Sequence, residues 1–215
     1  MSYYFPEGTK LFYSVTFAAA KTVSALSNAN PASATSAAHG YIDNDEVLFL
    51  SGWEEANESV FRVDQIDAAT HTFLGLDATN TQLFPPGGGV GTTQKISTWV
   101  EVPQVLTITG SGGDAKYGTI APLAKRQEIQ RATGFNAAAT NFTMGWDPAN
   151  ATYQALLALA RTQQAVALKI LVAGIAPIYG YGNISVSAQP NMTRGQVIDV
   201  PGSVTMNGRP IAYAS

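Results

Sequence analysis

Ile198-Asp-Val-Pro-Gly-Ser-Val-Thr-Met-Asn207 decides the fold class, because its side chains alternate in kind. Ile198, Val200, Val204 and Met206 fall on one face, and Asp199, Ser203, Thr205 and Asn207 on the other. A period of two marks a half-buried strand, since successive Cβ atoms point to opposite sides of a sheet. Just upstream, Ile184, Val186 and Ala188 oppose Asn183, Ser185 and Ser187 in the same way. Two long antiparallel strands are expected here, each with a dry face and a wet face.

Working outward, most of the chain reads as further strands. In the first part, Leu11 to Phe17, Glu46 to Leu50, Ser59 to Val63 and His71 to Leu76 are strand-like and separated by polar turns, a spacing that suggests a small barrel or sandwich. In the second part, Ile96 to Thr109, Ala115 to Ala121, Asn136 to Trp146 and Ala165 to Val172 join them. One segment reads as a helix. Asp147-Pro148 offers an N-cap followed by the residue favoured at the first helical position, and Tyr153, Leu156, Leu157 and Ala160 recur on one face. The end is expected near Arg161 to Gln164, where a cation suits the helix dipole. The opposite face carries Ala149, Ala151, Ala155 and Ala158 instead of Lys and Glu. Two readings of it stand open: a face covered by another surface, or a solvated face with high helix propensity.

Charge is scarce. Charged residues make up 13% of the 215, against about 25% in ordinary soluble proteins. Their place is taken by Ala, Gly, Ser, Thr and Asn. With 46% hydrophobic residues and a net charge of −3, the chain is neither a disordered tail nor a basic nucleic-acid reader. It has no cysteine and two histidines, His39 and His71, which argues against disulfide frameworks, thiol catalysis and zinc centres. Met1 to Lys10 lacks a basic n-region and an apolar h-region, and no apolar run reaches the roughly 20 residues of a membrane-spanning helix. The expectation is a soluble protein without membrane contact, made in the cytoplasm.

The charge is also unevenly placed. Residues 1–80 hold three bases and ten acids, a balance of −7, while residues 81–215 hold nine bases and five acids, a balance of +4. Between them, Phe84-Pro-Pro-Gly-Gly-Gly-Val-Gly91 reads as a linker. Either one module is simply the more soluble, or the acidic face of one copy meets the basic face of another.

Catalytic signatures are missing: there is no G-x-S-x-G, no P-loop, no H-E-x-x-H, and the glycines at 87–91 precede a strand instead of a helix. Asp43-Asn44-Asp45-Glu46 lacks the later glycine and glutamate of an EF-hand loop and reads as a turn. Glu54, Glu55 and Glu58 have no partner motif that would make them a glycosidase pair. No enzyme, metal or cofactor is expected. Trp53, Trp99 and Trp146 leave open a carbohydrate-binding adhesion module, with core packing as the plainer reading.

The second part of the chain resembles the major tail tube protein of long non-contractile-tailed, lambda-like bacteriophages. The match is carried in order by Glu101-Val-Pro-Gln-Val-Leu-Thr-Ile-Thr-Gly-Ser-Gly-Gly113, Arg126-Gln-Glu-Ile-Gln130, Asn141-Phe-Thr-Met-Gly-Trp146, the helix with Tyr153 and Leu156, and Tyr179-Gly-Tyr-Gly182 through Met192-Thr-Arg-Gly-Gln-Val197. It covers residues 95 to 215. Residues 21–92 are similar to a small β-rich unit of phage virion proteins, through Asn30-Pro-Ala32, Ala37-Ala-His-Gly40, Asn44-Asp-Glu-Val47, Ser51-Gly52, Phe61-Arg-Val63 and Phe73-Leu-Gly-Leu76.

The resemblance implies a mainly β fold: a tail-tube β-sandwich with one flanking helix and long lumen-lining strands, plus an inserted barrel-like module. The implied division is an N-terminal arm and strand over 1–20, the inserted module over 21–92 on the outside of the tube, and the tube domain over 93–215. It also implies a structural virion protein that forms hexameric rings, stacked around a tape-measure protein and bounded by terminator and tail-tip proteins. Double-stranded viral DNA passes through without sequence-specific contact. Six subunits giving about four strands each, at ~4.8 Å spacing and ~40° tilt, would enclose a barrel of ~48 Å backbone diameter. On this reading Asp199, Ser203 and Thr205 face the lumen, and Ala151, Ala155, Lys125, Arg126 and Arg131 lie at subunit contacts. The lumen is expected to be neutral to acidic, since many cationic contacts would hold DNA back. Another tail component of related fold, such as a terminator, a hub or a contractile-tail inner tube, is the alternative.

Overall fold

In a computed structural model of the protein, which describes residues 6–124, 126–173, 175 and 177–213, the expected alternation holds over Ile184 to Val186 and Val200 to Met206, whereas Ala188 and Ile198, expected on the dry face, are exposed beyond the strand ends. The chain opens with Lys10–Phe17 (β1) and three short strands, Lys21–Val23 (β2), Ala25–Leu26 (β3) and Ala32–Thr35 (β4). Glu46–Ser51 (β5), Ser59–Gln65 (β6), Thr70–Leu74 (β7) and Gly91–Glu101 (β8) follow. Next come Val105–Ser111 (β9), Ala115–Ile120 (β10), Ile129–Phe135 (β11) and Ala139–Gly145 (β12). The helix Ala151–Thr162 (α1) leads to Ala165–Leu171 (β13), Ile178–Val186 (β14), Asp199–Met206 (β15) and Ile211–Ala212 (β16).

The fold is mainly β, with one helix and a curled sheet, as in a β-sandwich. One sheet runs in the order β3-β4-β7-β6-β5-β8-β1-β13-β14-β15-β12-β9, with β2 paired to β8 and β16 to β14. The hairpin β10–β11 forms a second sheet of its own. Three apolar cores hold this together. Phe49, Trp53, Phe61 and Phe73 centre the first, inside β4 to β7. Leu11, Phe142, Met144, Leu156 and Val204 centre the second, between the later strands and α1. Leu48, Val60, Ile96, Ala167 and Tyr179 form the third at the seam between the two halves.

The Pro/Gly string read as a linker is a packed turn. Trp53 lies against Gly88 and Gly89, its indole N–H donates to the Pro85 carbonyl at 2.7 Å, and Phe84 meets its ring edge-on at 5.2 Å. A Cβ on Gly89 would come within 2.8 Å of the Trp53 ring, so glycine is required by close approach. β8 then runs straight through residues 92 and 93. It pairs with β2 and β5 at its start and with β1 at its end. The two halves of the sequence therefore share a strand.

Three local expectations are corrected. The helix cap is Asn150, whose side chain accepts from the Thr152 and Tyr153 amides at 2.9 and 3.2 Å. Asp147 caps the preceding turn, taking the Ala149 amide at 3.2 Å. Either residue type makes a good cap, and pattern alone did not separate them. The continuous strand expected over Ile96 to Thr109 breaks between β8 and β9, where Pro103 removes a donor and Gln104 adopts a φ of 50°. Finally, β11 is a strand that alternation did not reveal, because its Gly, Ala and Thr give no dry face.

Candidate functional site

Four strands, in the order β14-β15-β12-β9, build one continuous wall. Along β15, burial alternates strictly: Val200, Gly202, Val204 and Met206 are buried, and the residues between them are not. Ile184, Phe142 and Met144 continue the dry face, which Tyr153 and Leu156 of α1 cover. Gly202 is small because the Phe142 ring lies there, 2.4 Å from where a Cβ would sit.

The reverse face is a grid set by register. In one row Asn183, Thr205, Ala139 and Ser111 lie side by side; in the next, Ser185, Ser203, Asn141 and Thr109. A third row takes Pro201, Thr143 and Thr107. The side chains bond to one another: Thr107 and Thr143 share a hydroxyl hydrogen bond at 2.7 Å, and Asn141 donates to Ser111 at 2.9 Å. A shallow groove of about 370 Å³ runs across these rows. None of the eleven grid positions is ionisable.

Of the residues expected on this face, Ser203 and Thr205 sit within the grid. Asp199 lies at its margin opposite Gly145, half-buried, with one carboxylate oxygen enclosed. Alternation picked out the β15 members. The threonines of β9 and β12 were missed, although Thr107-x-Thr109 and Asn141-x-Thr143 carry the same period. Ala151 and Ala155 are exposed on α1, on the side away from Tyr153 and Leu156. Arg126 lies in the β10–β11 turn and Arg131 on β11, both exposed. Lys125 lies outside the described residues.

The charge asymmetry is partly answered inside the chain. Lys10–Glu101 at 3.1 Å, Lys95–Asp45 at 2.7 Å and Lys169–Glu46 at 2.8 Å are the ion pairs among the described residues. Each joins a residue of 1–80 to one of 81–215. Glu46 also accepts from the Tyr179 hydroxyl and the Trp99 indole N–H, and the Lys169 ammonium stands 5.1 Å from the centre of the Trp99 ring. Burial, and then the bond to Glu46, pushes the Tyr179 phenol far above its ordinary value. Tyr213 is pushed up to about 12 by burial; its hydroxyl accepts from the Arg62 amide and donates to the Leu74 carbonyl.

The acidic run 43–46 is thereby spent in four directions. Asp43 accepts from the Gln65 amide, Asn44 from Arg62, Asp45 from the Ile42 amide and Lys95, and Glu46 from the seam. Among the described residues, no group of three or more metal-ligating side chains converges. His39 and His71 are buried structural residues. The Tyr41 amide donates to His39 Nδ1 at 3.0 Å, so the proton sits on Nε2 and is donated to the Asp67 carbonyl at 2.9 Å. His71 packs among His39, Tyr41 and Phe73, with no partner for either ring nitrogen among the described residues. Of the three tryptophans, Trp53 is buried in the first core at 1% exposure, Trp99 gives its indole N–H to Glu46, and Trp146 is 39% exposed.

No curated protein matches the chain. A protein-family model described as phage tail tube protein, TTP, matches residues 51–215. That span begins at the end of β5, so it takes in β6 and β7 as well as the wall and helix.

Proposed function

The chain belongs to the phage tail tube protein family, a structural component of the virion that assembles with itself into a tube, and from that premise we propose that it forms hexameric rings stacked into the conduit for viral DNA. The observation that carries this is the two-faced wall of β14-β15-β12-β9. A sheet lining a water-filled bore needs a wet face without fixed cations and a dry face locked to a core, and this wall has both. Neutral hydroxyls and amides offer passing phosphates no ion pair, so DNA is not retained. Asp199 at the margin adds the acidic character expected of the lumen.

Closure of a ring requires the wall to continue from one copy to the next. β9 is the open end of the sheet, and β14 loses its β13 partner beyond Asn183. Pairing of the β9 edge with the free end of β14 on the adjacent copy would extend the barrel and remove an exposed edge. The exposed Ala151 and Ala155 suit close packing against a neighbour, and residues 21–92 then lie on the outside. The tape-measure protein fills the bore during assembly, while terminator and tail-tip proteins bound it.

Negative-stain electron microscopy of the purified protein at high concentration tests the reading. Tubes, or stacks of six-fold rings, are expected. A single ring that never stacks favours a terminator, and a monomer under all conditions overturns the assembly reading.

A further inference from the structure

The β10–β11 hairpin is the least supported element of the fold. It is a separate two-stranded sheet, and an isolated hairpin is marginal in water. Yet it displays Tyr117 at 60% exposure and Phe135 at 79%, with Ile120 half-exposed and Leu123 fully exposed in the turn. Ala115 pairs with Phe135 and Tyr117 with Ala132, which puts both aromatics on one face of the hairpin, while Lys116 across from Gly134, Arg131 across from Gly118 and Ile120 across from Ile129 take the other. Exposed apolar side chains gathered on one small element mark a contact. The face that carries Ile120 is basic: Lys116 and Arg131 are exposed there, with Arg126 and Glu128 in the adjoining turn and Asp114 just before β10, and none of the three bases is in an ion pair among the described residues.

A surface of matching character lies at the other end of the sheet. The loop carrying Ile42 and Asp43 is tied to the end of β6 by the Gln65 amide, which donates to Asp43 at 2.9 Å. The adjoining turn is tied by His39 to the Asp67 carbonyl. This brings Ile42, 62% exposed, and Ile66, 57% exposed, into one region with the exposed Asp43, Asp64 and Asp67. The bases beside it are engaged: Arg62 by Asn44 and the Tyr213 ring, Lys95 by Asp45, and Lys21 by the Ala38 carbonyl. No hydrogen bond or ion pair among the described residues joins this region to the hairpin of the same chain.

We propose that the β10–β11 hairpin of one copy docks on the isoleucine and aspartate surface around Ile42, Asp64 and Ile66 of another copy. This rests on the tube reading, and it gives residues 21–92 a part in assembly, as the receiver of the neighbour's arm. Ile120 on the basic face and Leu123 in the turn supply the apolar contact, while the opposed charges set orientation and speed of encounter. Because such rim charges are screened by salt, assembly through this contact weakens as ionic strength rises.

The absence of cysteine makes the test direct. Arg131→Cys and Asp64→Cys are prepared as separate proteins, both at exposed positions without side-chain partners. They are mixed under assembling conditions and treated with a short bismaleimide. A cross-linked dimer in the mixture, absent from either protein alone, is expected. Dimers from Arg131→Cys alone would mean that hairpins meet each other, and no heterodimer would mean that the hairpin docks elsewhere; both overturn the proposal. Either result alongside tubes by electron microscopy leaves the tube reading intact, whereas wild-type protein that forms no tubes overturns that reading separately. As a second measurement, Arg131→Glu should raise the concentration needed for association roughly five-fold, and Asp64→Lys in the same chain should restore it. A restored charge pair without recovery would also count against the contact.

Discussion

Glu46 on β5 and Lys169 on β13 meet at 2.8 Å across the seam of the two halves, with 16% and 19% of their side chains exposed. The carboxylate holds two further donors, Tyr179 and Trp99, from two other strands. Four strands thus converge on one side chain. Lys169→Met leaves this carboxylate enclosed without its cation, and a loss of about 2–3 kcal/mol is expected in urea unfolding. Adding Glu46→Gln should recover part of that loss. Equal losses in the single and double variants would show that the pair does not act as a unit.

The buried His71 predicts an acid limb in stability. Burial, and then the neighbouring His39, pulls its pKa from 6.5 to about 4. The unfolded chain takes up this proton near pH 6.5, and the folded chain only near pH 4. Stability is therefore full above pH 6.5 and falls as pH drops toward 4, by an amount of order 3 kcal/mol. In His71→Phe that part of the limb should vanish. Melting temperatures measured from pH 7 to pH 4 check this, and an unchanged slope would assign the acid limb to other groups.

Helix α1 separates folding from assembly. Leu156 is fully buried against the wall, so Leu156→Asp places an unpaired charge in the second core and should abolish folding. Ala155 is exposed, so Ala155→Arg should melt within about 0.5 kcal/mol of the wild type. The same variant should fail to form tubes if that face meets a neighbour. Circular dichroism and electron microscopy on the two variants decide between a structural and an interfacial helix face.

The wet wall can be charged without harm to the fold. Ser203 is half-buried at the centre of the grid, flanked by Ser185 and Asn141. Ser203→Lys should fold with stability changed by no more than about 1 kcal/mol. In assembled tubes it should make the bore retain DNA, in a manner relieved by salt. Filter retention of short duplexes on wild-type and variant tubes measures this, and equal retention would place Ser203 away from the bore.

How much was legible in the sequence depends on how each side chain is used. Val200, Val204 and Ser203 were readable because a half-buried strand writes its two environments alternately into the chain. Tyr153 and Leu156 were readable for the same reason at helical spacing. β11 was not, since a hairpin exposed on both faces leaves no dry residues to count. The grid partners Thr107 and Thr143 belong to strands far apart in sequence, and only register brings them together. Trp53 explains the misread linker. Its ring needs Gly89 beneath it, so the glycines answer a packing demand made some 35 residues earlier, which local rules take for flexibility. The charge split is plain in the sequence, but its cause is partly internal, in pairs such as Lys95 with Asp45.

The course of β8 has a consequence for how such a molecule can be rebuilt. Phe17 at the end of β1 pairs with Ile96, the Ala18 amide bonds to the Lys95 carbonyl at 2.8 Å, and Lys21 pairs with Thr93. The chain therefore departs and returns at a single rung of one hairpin ladder, although more than 70 residues are traversed in between. To the strands below that rung, everything above it is equivalent to a tight turn. A two-residue turn of suitable type could close the ladder in its place, and a different unit with neighbouring termini could be spliced there instead. The hairpin works as a socket, and what the strands beneath it ask of the plugged unit is confined to one seam: the Glu46 cluster with Lys169, Tyr179 and Trp99, the Tyr213 hydroxyl held by the Arg62 amide and the Leu74 carbonyl, and the apolar side chains around them.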